Sequence, residues 1–330
     1  MPLKGESYAI RVCPTGICVT ADSTRHLIDG FMTLLDMILP EKGFAFTPCC
    51  SLKESAAVAF RSVHLCVFES TTLEELQKQL HLCGVLKYMH VFLEFLGMLR
   101  FDSLPELSWP EAYTKDEVRP LLQKAKDMGL ELIPVFNHFG YATAGRVKHG
   151  KHVVLDQNPR LWYLFSEDGW CWDIRRAEVR ALLKNVRAEL FDLFGDGSYF
   201  HISCDEAYNY PYTAQGLNVL CDFIGEIADD LIAHGRRPVM WADMLLYKHE
   251  QYRQRDKLVA AAVSAESEAF LPEHIDKRIL LADWQYWATC SPVETSLALQ
   301  KAGFDVLLCP WDCSVRGTAQ PSAPTPAPRL

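Results

Sequence analysis

Tyr199-Phe200-His201-Ile202-Ser203-Cys204-Asp205-Glu206-Ala207 is a short β-prone run that ends in two adjacent carboxylates. An acid pair at a strand exit is costly as packing, because ionised groups are rarely buried without partners. It is useful as chemistry, because one carboxyl can be held protonated beside a charged neighbour. Adjacent strand residues face opposite ways, so the two acids converge only if the backbone leaves strand geometry between them. The duller reading is a surface turn or helix-capping pair, which the strand context disfavours.

The same pattern, an apolar run closing on acids or aromatics, recurs on both sides. Strands are predicted over Ser62–Phe68, Tyr88–Phe95, Glu131–Asn137, Tyr199–Asp205, Pro238–Asp243, Ile279–Tyr286 and Asp305–Trp311. Amphipathic helical segments alternate with them. Lys115–Met128 is introduced by Thr114 and closed by Gly129, and Ala177–Phe194, Ala214–His234 and Pro292–Ala302 each stop at a glycine. Regular alternation implies a parallel sheet with right-handed crossovers. The strands are apolar enough for burial on both faces.

The fold class is therefore α/β, a TIM-type (β/α)8 barrel that lacks its last strand-helix unit. No glycine-rich phosphate loop follows the first strand, which lowers the dinucleotide-binding alternative. Residues 1–60 read as the remnant of a small α/β domain, with strands Tyr8–Val12 and Ile17–Thr20 and a helix His26–Ile38. The barrel is expected over 61–312. Residues 313–330, with four prolines in the last ten positions, read as a disordered tail. An open barrel seam leaves two strand edges unpaired. Either a second copy of the chain covers it, as a homo-oligomer, or the chain is a truncated product.

Composition narrows the function. Apolar residues are 49% and charged residues 23% of 330, an ordinary globular balance. A net charge of -9 argues against nucleic acid, which needs a basic footprint. The start of the chain has no apolar core of signal-peptide length, and Lys87, His90 and Glu94 interrupt the best membrane-span candidate. A cytoplasmic protein without a membrane partner is the expectation. Twelve cysteines are scattered with no CxxC pair, which fits reduced thiols in apolar strands, and Cys309 and Cys313 are too isolated for a metal site. Neither a metal nor an organic cofactor is expected.

In a parallel barrel the active site gathers at the C-terminal ends of the strands. The residues there are Glu94; Asn137, His138 and Tyr141; Asp205 and Glu206; Trp241 and Asp243; Asp283, Trp284 and Tyr286; and Trp311 with Asp312. Aromatic faces stack on sugar rings, and carboxylates bind hydroxyls and move protons, so the set suits a carbohydrate better than a phosphate. Each tryptophan could instead be barrel core, Glu94 and Asp243 ordinary loop acids, and His138 a hydrogen-bonded structural group. His201, earlier in its strand, reads as a core polar residue.

At these positions the chain resembles the catalytic domain of glycoside hydrolase family 20, the β-N-acetylhexosaminidases. His201-Ile202-Ser203-Cys204-Asp205-Glu206 is similar to the family's His-x-Gly-x-Asp-Glu strand end. Pro134–Gly140, Val239–Met244 and Ala282–Tyr286 resemble its third, fifth and sixth strands. The resemblance implies removal of terminal β-linked N-acetylhexosamine by substrate-assisted retention, an exception to the scheme with two catalytic carboxylates. It implies Glu206 as general acid and base, and Asp205 as the group that orients the acetamido N–H. It implies Trp241, Trp284 and Trp311 as walls of the acetamido pocket and Tyr286 as a hydrogen-bond donor; Glu94, His138 and Asp243 join them, by their places at strand ends, as expected substrate contacts.

Three departures stand out. The first strand has Cys66 and Glu69 near the places of the family's Asp and basic residue. The family's Gly-His after the third strand is Gly140-Tyr141, so the His supporting the general acid is absent or replaced by His138. The eighth strand is missing. Two alternatives stay open, a catalytically inactive sugar-binding relative and a barrel glycosidase of another family that uses Glu206 with Glu94.

Overall fold

The computed structural model describes residues 7–143, 152–208, 210–248, 252–253, 258–287 and 292–310. By its contacts the chain divides into two compact units. One takes the residues up to 64 with 71–91 and 120–132, and the other takes 65–70, 92–119 and the chain from 133 onward.

The first unit holds an antiparallel sheet built from β1 (Ser7–Cys13), β2 (Gly16–Ala21) and, beyond the helix α1 (Thr24–Asp36) and a hairpin of β3 (Leu39–Glu41) and β4 (Phe44–Phe46), β5 (Cys50–Ser55). The order is β2-β1-β5. Alternation in β1 turns Tyr8, Ile10 and Val12 inward, where Val19, Leu34, Met37 and Leu52 pack on them. Ser23 caps α1 by accepting the His26 N–H at 3.2 Å. Gly30 lets the helix lie close to the sheet, since a Cβ there would sit 2.7 Å from Val19 Cγ1.

One buried acid organises the loops of this unit. Asp29 pairs with Arg25 at 2.8 Å and Arg61 at 3.4 Å, and Arg25 also donates to the carbonyls of Tyr88 and Met128. Removing one partner of such a pair strands the others in low dielectric. Asp29→Ala should lower stability by about 3 kcal/mol in urea unfolding, whereas a surface acid such as Asp116→Ala should change it by less than about 0.5 kcal/mol.

The main sheet runs through seven strands: β6 (Ser62–Cys66), β7 (His90–Glu94), β8 (Glu131–Val135), β9 (Tyr199–His201), β10 (Arg237–Trp241), β11 (Leu280–Asp283) and β12 (Asp305–Leu308). Between successive strands lie α2 (Leu73–Val85), α3 (Lys115–Asp127), α4 (Ala177–Phe194), α5 (Ala214–Ala233), α6 (Ala265–His274) and α7 (Glu294–Lys301). Spatial order equals chain order, and the pairs from β8 to β12 are parallel. A doubly wound sheet would reverse its order at a switch point, so this arrangement is that of a (β/α) barrel. Among the described residues β6 and β12 are its outer strands. No helix among the described residues is long and apolar enough to cross a membrane.

The strands are shorter than the apolar runs. Sequence predicts Tyr199–Asp205 as one strand, yet β9 stops at His201 because Ser203, Cys204 and Glu206 have φ of 56°, 65° and 48°. That left-handed region is uncommon outside glycine and incompatible with a ladder. Similarly β7 ends at Glu94, before Leu96 at φ 50°. The expected tail, 313–330, lies outside the described residues.

Candidate active site

The departure from strand geometry after β9 is what places two consecutive acids at one strand end. It is held on several sides. The carbonyls of His201 and Ile202 accept N–H groups of Phe136 and His138, and Trp241 N–H reaches the Ser203 carbonyl at 3.0 Å. Gly140 lies hard against the turn, where a Cβ would stand 2.1 Å from the Asp205 carbonyl oxygen. Trp170 donates its indole N–H to the Glu206 carbonyl at 2.7 Å. Glu206 N–H donates to Asp243 Oδ2 at 2.9 Å.

The two acids then occupy different environments. Asp205 is 2% exposed, and Glu206 is half-buried. The Glu206 carboxylate accepts the Tyr208 hydroxyl on Oε1 at 2.8 Å and the Tyr141 hydroxyl on Oε2. The Tyr141 ring packs on Trp170 with centroids 4.3 Å apart.

Asp243, expected among the substrate contacts, is 0% exposed. Its oxygens accept Glu206 N–H and, at 3.0 Å, the Trp284 indole N–H. Both oxygens are thus engaged by the protein, and Asp243 braces the site from behind. Burial, reinforced by the charge of Asp205, holds its carboxyl well above the usual carboxylate range.

An aromatic wall adjoins the acids. Trp241 lies 4.4 Å from the His201 ring and 6.2 Å from Trp284, and Trp284 meets Tyr286 at 5.1 Å. Trp284 and Tyr286 are half-buried, so they keep accessible faces. Trp311, the remaining expected aromatic, lies outside the described residues.

Two other expected residues have different surroundings. Glu94 is buried and accepts Asn137 Nδ2 at 3.0 Å and the Cys66 thiol at 3.6 Å. With Asn137 and Tyr141 it lines a cleft otherwise walled by apolar side chains such as Phe101 and Leu107. His138 is fully buried between Phe136 and Phe200, its Nδ1 2.9 Å from the Phe136 carbonyl. Burial, with the Arg187 guanidinium nearby, pushes its pKa down to about 3, so it is neutral. Among the described residues His138 contacts none of the carboxylates. Of the two readings of the supporting histidine, absent or replaced by His138, the replacement is not met, and the Tyr141 hydroxyl reaches Glu206 instead.

Asp283, although at a strand end, accepts Gln285, Thr295 and Ser296 and so anchors the start of α7. Sequence reasoning passed over Trp170 and Tyr208. Trp170 sits in the long β8–α4 connection, away from any strand end, and Tyr208 follows the acid pair by two residues with no motif to mark it.

The model for the glycosyl hydrolase family 20 catalytic domain matches residues 90–314, more than half of the chain. The chain belongs to glycosyl hydrolase family 20. A β-hexosaminidase of Porphyromonas gingivalis is 23% identical over 286 residues, covering 74% of this chain and 36% of that protein. The solved β-N-acetylhexosaminidase of Streptomyces coelicolor superposes with TM-score 0.69 at 17% identity, covering 94% of this chain and 61% of that one. The β-N-acetylhexosaminidase of Bacteroides fragilis gives 0.68 at 20% identity, covering 92% and 60%. The chain therefore spans about a third of that curated relative and three fifths of those two structures, and the structural likenesses speak for the fold.

Two predictions follow from this geometry. Gly140→Ala should displace the Asp205 carbonyl, costing roughly 1–3 kcal/mol by urea unfolding, and Gly225→Ala, where a Cβ meets nothing within 4 Å, should not. Second, between the ordinary carboxylate range and about pH 8 the folded protein keeps a proton on Asp243 that the unfolded chain has released. Its contribution to stability therefore falls as pH rises through that window. Asp243→Asn should flatten the fall, read as the difference between the two unfolding curves from pH 4.5 to 8.5.

Proposed function

We propose that this member of family 20 hydrolyses terminal β-linked N-acetylhexosamine with assistance from the substrate's own acetamido group. The observation that carries the reading is the unequal acid pair. Asp205 is sequestered, and Glu206 reaches the accessible side with its backbone and carboxylate both braced. The Streptomyces coelicolor enzyme named above is a family 20 β-N-acetylhexosaminidase with the same fold.

In this scheme Glu206 donates its proton to the glycosidic oxygen as the bond to C1 breaks. The acetamido carbonyl oxygen forms the new bond to C1 and gives an oxazolinium ion. Asp205 accepts the acetamido N–H and offsets the positive charge that develops there. Water then adds to C1, Glu206 takes its proton, and the oxazolinium ring opens with net retention. Trp241 and Trp284 wall the acetamido group, and Tyr286 donates to it. No step calls for a metal or an organic cofactor.

The alternative with Glu94 as nucleophile is weakened by its bonds to Asn137 and Cys66, which engage both of its carboxylate oxygens. Chromogenic substrates decide. The chain should release nitrophenol from the β-N-acetylglucosaminide and not from the matching β-glucoside, which has no acetamido nucleophile. Glu206→Gln should lower that turnover by roughly 10²–10⁴-fold. Equal cleavage of both glycosides would overturn substrate assistance, and silence from folded protein that still binds N-acetylglucosamine would make it a sugar-binding relative.

A further inference from the structure

We infer that Tyr141 and Tyr208 form a neutral two-donor clamp that positions Glu206 and sets the pH range over which it transfers a proton. The inference rests on the hydrolase reading above and adds the groups that govern its acid.

One phenol hydroxyl reaches each oxygen of the Glu206 carboxylate. The two come from different elements, Tyr141 from the connection after β8 and Tyr208 from the turn after the acid pair itself. Both are fixed. Tyr141 has φ 52° and its ring lies against Trp170, whose indole N–H holds the Glu206 carbonyl. Tyr208 N–H donates to that same carbonyl at 2.9 Å. Strained backbone of this kind costs of order 1–3 kcal/mol, and it persists where the surroundings enforce it.

The other titratable groups around the turn are Cys204 and Asp205 beside Glu206, Asp243 just beyond β10, Tyr212, which donates to the Ala207 carbonyl, and His201, whose Nδ1 accepts the Ser203 N–H at 3.0 Å. Among the described residues no histidine contacts the Glu206 carboxylate. This matters because an imidazole changes charge near neutrality and a phenol does not. Burial and the Glu206 carboxylate push the Tyr208 hydroxyl further up, so it stays protonated throughout the neutral range. A hydroxyl also serves both states of the acid. It donates to the carboxylate and, by rotating, accepts from the carboxylic acid.

The test combines Tyr141→Phe, Tyr208→Phe, the double variant and Tyr141→His. Loss of a donor disfavours the ionised carboxylate. The high-pH limb of kcat/KM should therefore move upward by roughly one pH unit for each hydroxyl removed. An alkyl N-acetylglucosaminide needs the proton more than a nitrophenyl one, so the double variant should lose about tenfold more activity on the alkyl substrate. Tyr141→His should add a limb near the imidazole range, about pH 6.5. An unmoved limb with equal losses on both substrates would overturn the clamp and leave the tyrosines as packing. The titration of the Glu206 side-chain carbon by ¹³C NMR, assigned with Glu206→Gln, reads the clamp without turnover. If the unaltered chain releases nothing from either glycoside the hydrolase reading fails, and that titration alone decides the clamp, an unchanged midpoint in the double variant overturning it.

Discussion

The hydrogen bond from Glu206 N–H to the buried Asp243 carboxylate is the interaction on which the rest of the site depends. A strand that continued past His201 would send Asp205 and Glu206 to opposite faces. The chain instead enters the left-handed region at Ser203 and Cys204 and again at Glu206, which is unfavourable for side chains of this size. The buried Asp243 oxygen that accepts that amide offsets the strain. Asp243 spends its second oxygen on the Trp284 indole, so one carboxylate fixes both the acid turn and the aromatic wall. Chemistry and stability are coupled there, because the group that braces the turn is itself an acid far from water.

Neutral donors reach three of the acids in the described part of the site. Glu94 is met by an amide and a thiol, Glu206 by two phenols, and Asp243 by an indole and a backbone amide. Neutral donors hold an acid in place without adding a countercharge, and they leave the proton free to move. An arginine at the same distance would pin the charge, as Asp29 shows in the first unit, where two guanidinium groups make a structural clamp. The two ways of satisfying a buried acid divide between the parts of the chain that hold shape and the part suited to proton transfer.

Tyr141 and His138 show why residue type alone misleads. A histidine three residues after the end of β8 invites a role beside the general acid. Backbone geometry decides otherwise. His138 sits where its ring enters the space between Phe136, Phe200 and Arg187, and Tyr141, turned by φ 52°, is the side chain that reaches Glu206.

Much of the architecture was legible in the sequence because it rests on local and periodic signals. Apolar runs separated by amphipathic segments with Thr, Ser and Gly at their ends imply alternating strands and helices, and that alternation implies a parallel, sequentially ordered sheet. Helices α3, α4 and α5 lie within a residue or two of their predicted spans. α2 was also within reach, since Thr72 and Glu75 form a capping box, while α6, short and carrying Pro272, is weakly patterned. β5 escaped because its sheet is antiparallel and its outward positions are polar. The acid pair was visible because two carboxylates at a strand end have few structural uses. What only the tertiary structure decided is which side chains face it. Asp243, Trp170, Tyr141 and Tyr208 come from separate connections, and their convergence depends on backbone torsions after the strands, where no periodicity operates. Sequence determined the ends at which chemistry could gather, since strand direction is a property of the repeating chain. Contacts between loops distant in sequence decided which groups brace the acid and which touch it.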